Sequence, residues 1–211
     1  MTNLNDATAF KPRKARFSPW AKLINVLAVV GSVASILSAL GLFWSSRFII
    51  NPSGASQFEN LVTLVSLFVL MLALVSVLVY MIAVMMFGLR AIQHLQSRGS
   101  KLRGKPWQFI VFWFVPIASI IVPALWLRDI ANEVSGEQAK ARRAQLVWFW
   151  VAWVLVNGFF GFGVQQPQNS TDFLTVANDL VALASVQAFV IVPLMLGRSV
   201  FKELNADLNA F

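Results

Sequence analysis

Catalytic and metal sites are mostly built from histidine, cysteine and paired carboxylates, and this chain offers few of them. Among 211 residues there is one histidine, His94, and no cysteine. The missing thiol removes disulfides, thiolate nucleophiles and thiolate metal sites. A lone histidine lacks the nitrogen or sulfur partners that a zinc-type centre needs. His94 lies among basic residues, where Leu89, Ile92 and Leu95 mark a continuing helix, and it reads as a solvated or headgroup-level side chain. The nine acids are Asp6, Glu59, Asp129, Glu133, Glu137, Asp172, Asp179, Glu203 and Asp207. None falls deep in an apolar run, which argues against the intramembrane carboxylate of a proton-driven pump. Glu133 and Glu137 are one helical turn apart in a charge-mixed stretch and read as a solvated helix face, not a hydrolytic pair. Gly158, Gly161 and Gly163 lack the lysine of a phosphate-binding loop, and neither HExxH nor a nucleophile elbow occurs. No enzyme chemistry and no cofactor are expected.

Three polar features remain. Arg128 and Asp129 end an apolar stretch, either as a buried ion pair or as two headgroup-level charges. Asn157 and Gln187 each sit inside an apolar run. An amide facing lipid is costly, so both should face protein or water, as a polar lining or in interhelical hydrogen bonds worth about 1 kcal/mol.

The elements that carry these residues are membrane segments. Hydrophobic residues make up 58% of the chain and charged ones only 12%, and the mean hydropathy is +0.70. A soluble domain carries about a quarter charged residues, so there is too little charge here to cover a water-facing surface. Spans are read at about 23–44, 61–89, 146–164 and 180–196, with a further apolar stretch at 109–127. Residues 61–89 contain no charge and would form a helix of about 43 Å, longer than the hydrocarbon core. The polar, basic residues 1–22 precede the first span, which is read as a retained anchor and not a cleaved signal peptide.

Lysine and arginine set the topology. Lys11, Arg13, Lys14, Arg16 and Lys22 precede the first span, and Arg90, Arg98, Lys101, Arg103 and Lys105 follow the second. Arg128, Lys140, Arg142 and Arg143 follow the 109–127 stretch, Arg198 and Lys202 follow the last span, and Arg47 stands alone. If all five stretches cross, ten basic residues lie inside and seven outside. If 109–127 enters and leaves on one side, sixteen lie inside and one outside, which the positive-inside rule strongly prefers. Pro116 and Pro123 permit this, because each removes an N–H and clashes with the carbonyl of Phe112 or Ser119. The expected fold is all-α: four transmembrane helices, one Pro-bent re-entrant or interfacial segment at 109–127, and both termini cytoplasmic. A bent backbone at membrane depth must be sheltered by the other helices.

The run Trp113-Phe114-Val115-Pro116-Ile117-Ala118-Ser119, then Pro123, then Arg128-Asp129-Ile130, resembles a bacterial membrane family, the one designated domain of unknown function 4328. Its members show W-F-x-P-x-x-N-x-x-x-P followed by an R-E-I-W-like end. The Trp-rich run Val147–Trp153 and the basic connector Arg90–Lys105 also look like the family's. The resemblance covers roughly residues 61–202. Ser119 stands where the family usually has Asn, Ile121 where an aromatic is common, and Ala131 in place of Trp. The resemblance implies a multi-pass protein of a bacterial cell (inner) membrane and no particular reaction.

The remaining signals concern packing and surfaces. Gly31, Ser35 and Ala39 recur every four residues, with Ala34 and Ser38 as a second small row, so helix backbones can approach closely there. Trp20, Trp44, Trp107 and Trp126 fall near span ends, as in an aromatic belt, while Trp113, Trp148, Trp150 and Trp153 lie deeper. Residues 199–211 form an amphipathic cytoplasmic tail whose Phe201, Leu204, Leu208 and Phe211 make one apolar face suited to the interface. Lys11, Arg13, Lys14 and Arg16 should attract anionic headgroups at about 1 kcal/mol per charge. Membrane lipid is therefore the expected partner and nucleic acid is not, with a second copy or another protein left open. Asn169-Ser170-Thr171 fits a glycosylation pattern. The reading favoured is a non-catalytic accessory, regulatory or lipid- or partner-binding membrane protein. Its alternatives are a small oligomeric channel or transporter using the Pro116–Pro123 segment and, last, a membrane enzyme.

Overall fold

A computed structural model describes the backbone of residues 18–50, 57–102, 104–163 and 173–211. The basic residues Lys11–Arg16 and the glycosylation pattern at 169–171 lie outside the described residues. Among the described residues the structure is all-helical: α1 (Ser18–Ile50), α2 (Gln57–Ser97), α3 (Pro106–Phe114), α4 (Pro116–Val134), α5 (Ala139–Gly163) and α6 (Phe173–Ala210). A short 3-10 turn at Gly136–Gln138 joins α4 to α5.

Three helices are long and apolar enough to cross a membrane, over Pro19–Arg47, Asn60–Ser97 and Val176–Ala210. Their apolar residues encircle the helix instead of forming one stripe, as expected where one face meets protein and the other lipid. Each outruns its span read from sequence. α2 has 41 residues, about 60 Å. α6 has 38 and runs unbroken through Pro193, so the last span and the tail are one helix. α5 begins with Lys140, Arg142 and Arg143 in its first turns and is not one of the three over its described residues.

α1 packs along both α2 and α6, and α5 packs on α6. The α1 seam is Ala21, Ile24, Ala28, Gly31, Ser35, Ser38, Leu42 and Ser45, a strict alternation of three and four, all buried. That spacing keeps one line of residues facing its partners in a left-handed crossing. Small side chains on it bring the backbones close. A Cβ on Gly31 would lie 3.1 Å from Leu194 and 3.7 Å from Ser76. Farther along, Ser45 and Thr63 hydroxyls meet at 3.2 Å, and Leu42, Leu70 and Ala184 form a small cluster. These pairs fix both neighbours antiparallel to α1. Ala39, expected in the small row, is only half-buried; Ala34 and Ser38 are buried.

The main core lies at the other end of the seam. Phe87 and Phe149 both meet Phe201 edge-on, at 5.4 and 5.6 Å. Leu204 and Leu208 are also fully buried. Three of the four residues of the tail's apolar face are thus covered by protein, not laid in the interface as their spacing suggested, and Phe211 alone of the four is exposed. Trp126 is buried in the same core, so it is no belt residue, whereas Trp44 and Trp107 are exposed.

Candidate functional site

The 106–134 segment is a helical hairpin. α3 ends at Phe114; Val115 is extended, with φ −92° and ψ 113°; and Pro116 opens α4. Pro116 is well placed at a first helical position, where its missing N–H breaks no bond and its ring forbids α3 from continuing. The Ser119 N–H donates to the Val115 carbonyl at 2.7 Å, starting the new ladder. The two prolines therefore act differently. Pro116 makes the break, while Pro123 is carried inside α4 and buried. The bent unit is wider than the 109–127 stretch read from sequence, because polar turns of helix flank it on both sides.

The hairpin returns to where it began. Trp126 packs on Phe109, with ring centroids 5.8 Å apart, and a Cβ on Gly104 would lie 3.1 Å from the Trp126 ring. Gly104 has φ +63° and its carbonyl accepts from Gln96 Nε2 at 3.0 Å, so this turn needs glycine for both backbone and space. The Gln108 side chain accepts the Lys105 N–H at 2.7 Å and closes the first turn of α3. At the apex, Phe114 is 76% exposed, and Val111, Val115 and Ile121 are exposed too. Trp113 is half-buried and meets Trp150 of α5 edge-on at 5.5 Å.

Beside the hairpin's base lies an ion network. Arg142 pairs with Glu203, and its Nε donates to Asp207 at 3.1 Å. Ser135 Oγ also donates to Asp207, at 2.7 Å, and Arg142 Nη2 donates to Gln138 at 2.8 Å. Arg98 donates to the Phe211 carbonyl and lies 5.7 Å from its ring centroid. The α4–α5 connector is thus at the end of the bundle where α2 and α6 finish. Arg98, Lys140, Arg142 and Lys202 share that end, and Arg47 lies at the other, its guanidinium 5.3 Å from the Phe43 ring.

A third polar feature runs inside the bundle. Ser32, Ser35 and Ser38 of α1, Tyr80 of α2 and Gln187 of α6 are buried, with side-chain polar atoms lacking a hydrogen-bond partner among the described residues. Gln187 is 1% exposed. It follows Ala184 by three residues, which sets it near the level of Ser38 in the antiparallel register. Tyr80 fits only because residue 197 is glycine: a Cβ there would lie 1.9 Å from the hydroxyl and 2.9 Å from Phe149.

Of the residues singled out in the sequence, Trp113, Ser119 and Pro123 share the hairpin. Arg128 is exposed and Asp129 half-buried in the later turns of α4. Gln187 belongs to the seam, and the Asn157 side chain lies outside the described residues. His94 is half-buried and Glu133 exposed. Among the described residues no group of histidines and acids is placed to hold a metal. The association of Arg142 with Glu203 and Asp207 escaped the sequence reading, which counted them only as a topology signal and as acids outside the apolar runs. The only trace of their link is that Glu203 and Asp207 fall one helical turn apart.

The family described as Domain of unknown function (DUF4328) has a model that matches residues 49–206, which takes in the hairpin, Arg142 and Glu203 of the ion network but not Asp207, and all of α2 and α5. The chain belongs to this family. No curated protein and no solved structure matches it. The match leaves out most of α1, so the family's shared part is α2–α6, with the hairpin at its centre.

Proposed function

We propose that the chain is a non-catalytic multi-pass membrane protein that works through lipid and partner contacts. In this reading it makes four crossings (α1, α2, α5 and α6), and its hairpin enters the bilayer from the basic, cytoplasmic side. The carrying observation is the hairpin itself. Its ends meet at Gly104 and Trp126, its apex is apolar and exposed, and basic residues gather about its base. An exposed phenylalanine at the tip of a hairpin whose base is charged suits insertion into lipid from one face. The cell (inner) membrane is the expected location, since the basic end then faces the cytoplasm under the positive-inside rule.

The test uses the absence of native cysteine. Gln138→Cys, exposed in the α4–α5 connector, should react with a membrane-impermeant maleimide only after the cells are opened. Labelling of intact cells would place the connector outside and end this reading. A second reading, a channel or transporter, is favoured by one observation, the buried Gln187 amide beside the α1 serines, which has no hydrogen-bond partner among the described residues. Ion flux through proteoliposomes that is lost in Gln187→Leu would support it.

A further inference from the structure

A groove of about 180 Å³ runs between α4 and α5, at the basic end of the bundle. Its walls are apolar, with Leu127, Leu146, Val147 and Trp150 among them, and its only charged lining residues are Arg128 and Arg143. Both are exposed. Neither is ion-paired among the described residues; Arg143 Nε donates only to the Ala139 carbonyl, at 3.3 Å. The contrast with Arg142 is direct, since that neighbour is committed to Glu203 and Asp207. From Arg143 to Val151 the groove follows two turns of α5, about 12 Å, and Val147, Trp148 and Val151 turn outward on that helix.

We infer that this groove binds one anionic phospholipid, with its phosphate between Arg128 and Arg143 and the upper part of an acyl chain against α4 and α5. The inference rests on the membrane reading above and deepens it. Guanidinium groups match phosphate geometrically and hold it by paired, charge-assisted hydrogen bonds. A free phosphate would use the arginines and leave the apolar walls uncovered. A lipid uses both, and it meets them in the right order, charge at the membrane surface and hydrocarbon below.

The test is lipid retention by the full chain, purified in detergent and titrated with equimolar phosphatidylglycerol and phosphatidylcholine, read by native mass spectrometry. The wild type should retain one phosphatidylglycerol in preference to phosphatidylcholine. Arg128→Gln with Arg143→Gln should weaken that retention by roughly tenfold or more. Val151→Trp keeps both charges, fills the groove and should weaken retention similarly. Lys140→Gln, exposed at the same end but outside the groove, should leave it unchanged. Three results would overturn the inference: equal loss in Lys140→Gln, which means diffuse attraction; retention in Val151→Trp, which means no acyl slot; or full displacement by inorganic phosphate, which means a simple anion site. Maleimide labelling of Gln138→Cys reports the membrane reading separately. Cytoplasmic labelling with no lipid selectivity would remove the lipid site alone.

Discussion

The two ends of this bundle are held together by different physics. At the basic end, all six helices interlock around Phe87, Phe109, Trp126, Phe149 and Phe201, and Arg142 ties α5 to α6. At the opposite end small residues meet, Ser45 on Thr63 and Gly41 on Ser66, beside one small Leu42–Leu70–Ala184 cluster, while Leu64, Phe68, Met71 and Leu40 face outward. In the membrane arrangement proposed above, water near the basic end rewards burial of aromatic surface and can solvate spare charge. In that arrangement hydrocarbon around the other end gives no such reward, so close backbone approach supplies the attraction there. A chain made this way has one end that resembles a soluble core and one that resembles a membrane dimer interface.

Substitutions should separate the two regimes. The largest effect is expected at their junction, Gly197→Leu, where the new side chain has no room beside Tyr80 and Phe149. Overpacking of that kind should cost about 3 kcal/mol or more in thermal unfolding. Gly197→Ala combined with Tyr80→Phe should recover part of the loss, because the hydroxyl in the way is gone. Next, Phe114→Asp should oppose seating of the hairpin by about 2.5–3.5 kcal/mol if the apex lies in lipid. A change within about 0.5 kcal/mol, typical of a water-facing site, would put the apex in solvent. At the basic end, Arg142→Ala should cost about 2 kcal/mol by stranding two half-buried carboxylates, measured as a lowered unfolding midpoint in detergent. At the seam the sign reverses. Gln187→Leu should stabilise by about 1 kcal/mol, since it removes an amide with no partner among the described residues, and a loss instead would show that the amide is engaged. Smallest is Phe211→Ala, which gives up the Arg98–ring contact for about 0.5 kcal/mol.

The same contrast explains what the sequence disclosed. The three long apolar helices and the family were legible, because uncharged runs and the Trp113–Pro123 motif are local signals. Helix ends were not. Ser18, Gln57 and Ala210 lie beyond the apolar runs, and toward Ala210 the helix continues because protein still covers Phe201, Leu204 and Leu208. Pro116 and Pro123 look alike in sequence, yet only one breaks the helix, and the difference rests on where α3 stops packing. The tail's apolar face was read correctly as a face and wrongly as an interfacial one, since its partners, Phe87 and Phe149, lie more than fifty residues away. The Arg142 network is of the same kind, because residue 142 and residues 203 and 207 come together only through antiparallel α5 and α6. Arg128 and Arg143 were counted as topology signals, and their shared groove appears only once α4 meets α5.

The single extended residue at Val115 has an electrostatic consequence. α3 arrives at the turn with its negative carbonyl end and α4 leaves from it with its positive N–H end, so two opposed partial charges of about half a unit meet within one residue of each other. Their fields largely cancel at the tip. With the tip in the bilayer, as proposed above, a continuous helix stopping there would present one uncompensated pole to hydrocarbon, whereas this turn exposes a nearly neutral, apolar knuckle.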